Sequence, residues 1–132
     1  MALCAAVVWR ALATSPRPPD DDLTYEHFSA GAALLASGNP AQAAVRLEKA
    51  RAAEPEKASV REALGRAYFA LGRWNEAEAE FRATLGVCPT NDYAHYCLSC
   101  VLRSRGRRRE AEAHLKLARA MGSHLVPPSG SA

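Results

Sequence analysis

The stretch LGRAYFALGRWNEAEAEF, Leu64 to Phe81, reads as helix, yet it holds Gly65 and Gly72, each between a leucine and an arginine. A glycine inside a helix costs roughly 1 kcal/mol relative to alanine. Two of them in one helical stretch need separate reasons, and the rest of the chain supplies these. Gly38, Gly72 and Gly106 stand at intervals of 34 residues. Ala43, Ala77 and Ala111 keep that interval. So do Leu47, Phe81 and Leu115, then Ala50, Thr84 and Ala118, and the pair Pro55 and Pro89. A period of 34 marks a repeated helix-turn-helix unit.

Each column has a physical role in such a unit, whose first helix (A) packs on its second (B). Gly31 and Gly65 lack a side chain, so a neighbouring helix can approach closely. Gly38, Gly72 and Gly106 end the A helices, where a positive φ is needed. Asn39-Pro40 reads as an N-cap followed by proline at the first helical position, and Asn75-Glu76 as the corresponding cap in the second copy. Pro55 and Pro89 end the B helices. Ala43, Ala77 and Ala111 are small where A and B cross, and Leu47, Phe81 and Leu115 supply bulk. Six helices are predicted, over about 24–37, 40–53, 58–71, 75–87, 92–105 and 109–121.

These residues resemble the tetratricopeptide repeat, whose signature is a large residue, Leu-Gly, Tyr, a turn Gly, Ala, Phe, Ala and Pro. The second copy carries Leu64-Gly65, Tyr68, Gly72, Ala77, Phe81 and Pro89. The first carries Ala30-Gly31, Leu34, Gly38, Ala43, Leu47, Ala50 and Pro55. The third carries Leu98-Ser99, Leu102, Gly106, Ala111, Leu115 and Ala118, and departs at Ser99 and Ser123. The size and composition look like a small three-repeat protein of bacterial type. The resemblance implies an all-α fold, a right-handed α-solenoid of three repeats over 24–57, 58–91 and 92–122. An N-terminal extension and linker would fill 1–22, and a disordered tail 123–132.

The bulk composition agrees with a helical chain. Alanine, leucine, glutamate and arginine dominate, isoleucine is absent, and the net charge is only +3 over 132 residues. Arginine outnumbers lysine 14 to 3, which GC-rich coding explains. Cys4, Cys88, Cys97 and Cys100 do not form a secreted disulfide framework, so a reducing cytoplasm is the expected setting. The opening MALCAAVVWRALA is too short for a membrane span, and no basic residue precedes its apolar run as a signal peptide requires. It reads as a frayed or loosely docked helix.

Catalytic and metal chemistry find little support. Cys97 and Cys100 are i,i+3 neighbours, but zinc wants four ligands and no second such pair exists. His27 and His95 fall at equivalent repeat positions with Arg61 between, which suggests a structural place. No nucleophile, base and orienting group share a signature. The chain reads as non-enzymatic, with no cofactor and no metal.

The resemblance implies a concave face lined by the A helices. Its ligand-facing positions fall at Tyr25, Phe28, Leu35, Glu62, Arg66, Phe69, Tyr93, Tyr96, Cys100 and Arg103. The family's clamp for C-terminal carboxylates needs Lys, Asn, Asn, Lys and Arg, where this chain has Phe28, Ala32, Ala63, Tyr93 and Cys97. The expected partner is therefore another protein, bound as a peptide or amphipathic helix in an aromatic groove. The alternative is an adaptor that meets nucleic acid or an acidic protein surface through the turn at Arg103, Arg105, Arg107, Arg108 and Arg109. No aromatic interleaving accompanies that charge. Leu117 and Met121 on the sixth helix are candidates for a weak homodimer contact, since a solenoid's end needs cover or polarity.

Overall fold

The structure is a computed structural model that describes residues 19–124. Six helices follow in order: α1 Pro19–Ala36, α2 Pro40–Ala53, α3 Ala58–Ala70, α4 Trp74–Val87, α5 Asp92–Ser104 and α6 Arg108–Ala120. The pairs α1–α2, α3–α4 and α5–α6 pack as hairpins, and α2–α3 and α4–α5 join them into a row. Three helix pairs in register with the sequence period make an all-α repeat fold.

Two boundaries differ from the sequence reading. The extension and linker expected over 1–22 give way to helix at Pro19. Proline followed by three aspartates has the make-up of a helix start, since proline is tolerated at the first position and acids are favoured in the first turn. Asn75 does not cap α4; it lies inside the helix, and Arg73 takes the cap position. Arg73 and Glu76 close the first turn instead, with Nε donating to Oε1 at 2.8 Å. Arg107 and Glu110 repeat this bond 34 residues later, again at 2.8 Å. Asn39 does precede α2, but its side chain makes no capping bond. Asn91 caps α5, accepting from the Ala94 amide at 2.9 Å. The opening apolar segment and most of the tail lie outside the described residues. Ser123, expected in that tail, is buried, and its amide donates to the Ala118 carbonyl.

The two glycines of the opening stretch do different work, as their spacing suggests. A Cβ on Gly65 would sit 2.9 Å from the Phe81 ring, so the A–B crossing closes onto bare backbone. Gly72 has φ +73° and ends α3. Its amide donates to the Phe69 carbonyl and the Arg73 amide to that of Tyr68, which satisfies the helix's last carbonyls. Ala43, Ala77 and Ala111 are all buried at the crossings, and Leu47, Leu64, Phe81, Leu98 and Leu102 fill the core. Leu115 completes the bulky column but is only half-buried, because no further repeat stacks on it among the described residues.

The packing also sets the curvature. The A helices touch in sequence, α1 with α3 and α3 with α5, whereas α2, α4 and α6 make no such contacts. The row therefore bends with its A helices inside. That places the concave face on α1, α3 and α5.

Candidate binding groove

On that face one cavity of about 290 Å³ opens between α3 and α5. Arg66 and Phe69 line it from α3. Tyr93, Tyr96, Cys97 and Cys100 line it from α5, and Phe81 reaches in from α4. On α5 two short side chains, Cys97 and Cys100, line it next to the longer Tyr93 and Tyr96. Its size is at the small end for ligand pockets, enough for a side chain or two.

Four of the residues expected in the groove thus converge: Arg66, Phe69, Tyr93 and Tyr96. Cys100, also expected to face inward, joins them. The others do not line this cavity. Tyr25 is 68% exposed on α1, and Phe28 and Leu35 pack partly on the core. Glu62 is occupied by Asn91, whose Nδ2 donates to its carboxylate at 2.9 Å. Arg103 is exposed and lines a separate concavity of about 270 Å³ with Arg108, Ala111 and Glu112. Sequence reasoning placed Phe81 only in the core and weighed Cys97 only as a metal or clamp position. Their repeat columns gave no sign that one side of each meets an open space.

The site's polar groups are held in fixed states. The Arg66 guanidinium lies 5.9 Å from the centre of the Tyr93 ring, at the outer reach of a cation–π contact. Phe69 meets Trp74 edge to face, ring centres 5.1 Å apart. Burial pushes the Cys97 thiol up to about 12, and burial first, then Cys97, pushes the Tyr93 phenol up to about 12. The neighbouring Cys100, followed by burial, raises the Tyr96 phenol. Cys97 is therefore a protonated thiol, and Tyr93 and Tyr96 are neutral phenols, near neutral pH. A protonated thiol is a poor nucleophile and a poor metal ligand. Among the described residues no three His, Cys, Asp or Glu side chains are grouped to hold a metal, and no helix is long and apolar enough to cross a membrane.

The arginine-rich turn is partly committed to the fold. Arg105 and Arg107 both pair with Glu78, as does Arg82 at 2.9 Å; Arg107 also holds Glu110 at 2.6 Å. Burial alone would raise Glu78, but its bonds to Arg82 and Arg107 outweigh that and keep its carboxyl below the usual range. Arg103, Arg108 and Arg109 remain exposed. Their positions explain two of them. Arg103 and Arg108 are 34 residues beyond Phe69 and Trp74, which pack on the core. The last repeat puts charge where the middle one puts aromatic surface, so its outer edge stays polar.

Comparison with known proteins agrees with this architecture. Residues 34–96 match the family model of the tetratricopeptide repeat. No curated protein sequence matches the chain. Among solved structures, a mutant of MamA superposes with a TM-score of 0.71 at 28% identity, over 74% of this chain and 72% of that one. The Yersinia enterocolitica type III secretion chaperone SycD, in complex with a peptide of the translocator YopD, gives 0.73 at 17% identity, over 78% and 79%. A mutant O-GlcNAc transferase of Thermobaculum terrenum gives 0.76 at 18% identity; the match covers 82% of this chain but 21% of the enzyme. With its 34-residue register and paired helices, the chain has the fold of tetratricopeptide-type repeat proteins, and its residues 34–96 match that family's model.

Proposed function

We propose that this chain is a non-enzymatic interaction module that takes a peptide or helix of a protein partner onto its concave face. The observation that carries this reading is the cavity between α3 and α5, aromatic on its walls and backed by small thiols. Such a hollow accepts an apolar side chain and excludes water around it, the usual setting of an interface anchor. The fold likeness to SycD, whose structure holds a partner peptide, supports a peptide as the ligand. The half-buried free thiols Cys88, Cys97 and Cys100 support a reducing, cytoplasmic setting. Exposed Leu117 and Met121 support a weak homodimer or second contact on α6.

The second reading uses Arg103, Arg108 and Arg109 on an acidic partner or nucleic acid, and the exposure of those three supports it. A partner captured by the wild-type chain decides between the two. Under the groove reading Tyr96→Ala weakens it at least about thirtyfold, the loss expected of a truncated anchor. Serine at Arg108 and Arg109 together leaves it nearly unchanged. The reverse pattern assigns the site to the turn.

A further inference from the structure

The groove's charge names the kind of segment it takes. Six of the arginines are already paired. Arg51 and Arg61 hold Glu80; Arg73 holds Glu76; Arg82, Arg105 and Arg107 hold Glu78. Arg66 is different. It lines the cavity, is exposed, and makes no ion pair among the described residues; its ring contact is the distant one to Tyr93. The acid one turn before it, Glu62, is taken up by Asn91. At the equivalent places on α1 and α5 stand Ala32 and Cys100, too short to engage a guanidinium across the groove. Further along α5, Arg103 adds a second exposed cation of the same sign.

We infer that the partner segment presents a large apolar side chain with an aspartate or glutamate beside it, the first entering the cavity and the second reaching Arg66. This rests on the groove reading above and adds the charge to it. A guanidinium beside an aromatic wall is poorly matched to another cation. It offers a carboxylate two parallel donors, which fixes the segment's direction as well as its place. The gain is modest because Arg66 is exposed, so the carboxylate selects among apolar segments more than it drives binding.

The probe is a display library of random twelve-residue peptides, selected on the full chain. Enriched peptides should combine a large apolar residue with an acid within about one helical turn of it. Taken as synthetic peptides, they should lose about fivefold in affinity to Arg66→Gln, and the loss should shrink in high salt. Their glutamine-substituted counterparts should bind wild type and Arg66→Gln alike. Apolar peptides without an acidic bias, lost on Tyr96→Ala but indifferent to Arg66→Gln, would overturn the charge assignment and leave the groove standing. Selected peptides that still bind Tyr96→Ala, or a selection that enriches nothing, would remove the groove reading and this inference together.

Discussion

His95 and His114 meet nitrogen to nitrogen, Nδ1 of one 3.0 Å from Nδ1 of the other, their rings stacked at 26°. One repeat earlier the same two places hold Arg61 and Glu80, paired at 3.0 Å. The parallel extends to the loop before: Arg61 Nε donates to the Pro55 carbonyl at 2.8 Å, and His95 Nε2 lies 3.0 Å from that of Pro89. A carbonyl only accepts, so His95 Nε2 carries a hydrogen. The Nδ1 of neutral His95 then accepts from the Nδ1–H of His114. An imidazole pair thus replaces an ion pair at one site of the repeat.

The replacement makes stability sensitive to mild acid. Burial lowers the His114 pKa from its ordinary 6.5; His95 and Arg82 lower it further, against a smaller opposing effect of Glu110. Between that lowered value and 6.5 the unfolded chain binds more protons than the folded one. Stability therefore falls as pH drops through 6.5, until the folded pKa is passed. The carboxylates act lower. Glu78 and Glu110 have folded pKa values below 4.5, so their contribution is full above 4.5 and lost beneath it. The urea midpoint should drop between about pH 7.5 and pH 5.5 for wild type and much less for His114→Gln. Both should decline again in stronger acid. Equal profiles for the two proteins in the upper window would exclude the pair as its cause.

The fold was legible because a 34-residue period constrains many positions at once. Gly72, Ala77 and Phe81 could be placed from their column mates, and the structure gives each the expected role. Asn75 was misplaced because a general preference of asparagine for caps was set against a specific Arg73–Glu76 bond, which spacing alone does not reveal. The groove was legible by face but not by depth. Tyr25 and Tyr96 share the inner face in sequence, yet only Tyr96 lines a cavity, since cavities depend on which neighbours are short. The arginine turn read as one patch; Glu78, a whole repeat away, divides it.

Two glycine-to-alanine changes should have opposite signs. At Gly65 the new methyl would sit 2.9 Å from the Phe81 ring, which is buried against it and would have to shift toward the neighbouring cavity. The strain, about 1–3 kcal/mol, should exceed the helix-propensity gain of about 1 kcal/mol, so Gly65→Ala loses stability. Gly86 lies near the end of α4, and a methyl group there would meet nothing within 4 Å. Gly86→Ala should gain up to about 1 kcal/mol. Denaturant midpoints of the two variants check both signs, and a stabilised Gly65→Ala would contradict the close-approach role.

Glu80 joins two repeats. Its buried carboxylate accepts from Arg51 on α2 and Arg61 on α3. Removing the charge strands two guanidinium groups, but both remain partly solvated. Glu80→Gln should therefore cost about 1–2 kcal/mol, less than a fully buried pair. Glu76→Gln, on an exposed pair within one turn, should cost under about 1 kcal/mol. Equal losses for the two would show that burial does not set the worth of these pairs.

Thiol labelling reads out the groove directly. Cys97 and Cys100 line the cavity; Cys88 lies outside it, beside Thr90. With its pKa pushed up to about 12, Cys97 holds almost no thiolate near pH 8 and should react with iodoacetamide at least about a hundredfold more slowly than an ordinary thiol. Cys100 then becomes the reporter. An apolar segment seated against Tyr93 and Tyr96 covers it without approaching Cys88. Adding a bound peptide should slow Cys100 labelling in proportion to occupancy and leave Cys88 unchanged, as followed by mass spectrometry of digested protein. The protection should vanish in Tyr96→Ala at the same peptide concentration. Equal protection of both cysteines would indicate a general tightening of the fold, and protection of neither would place the peptide away from this cavity.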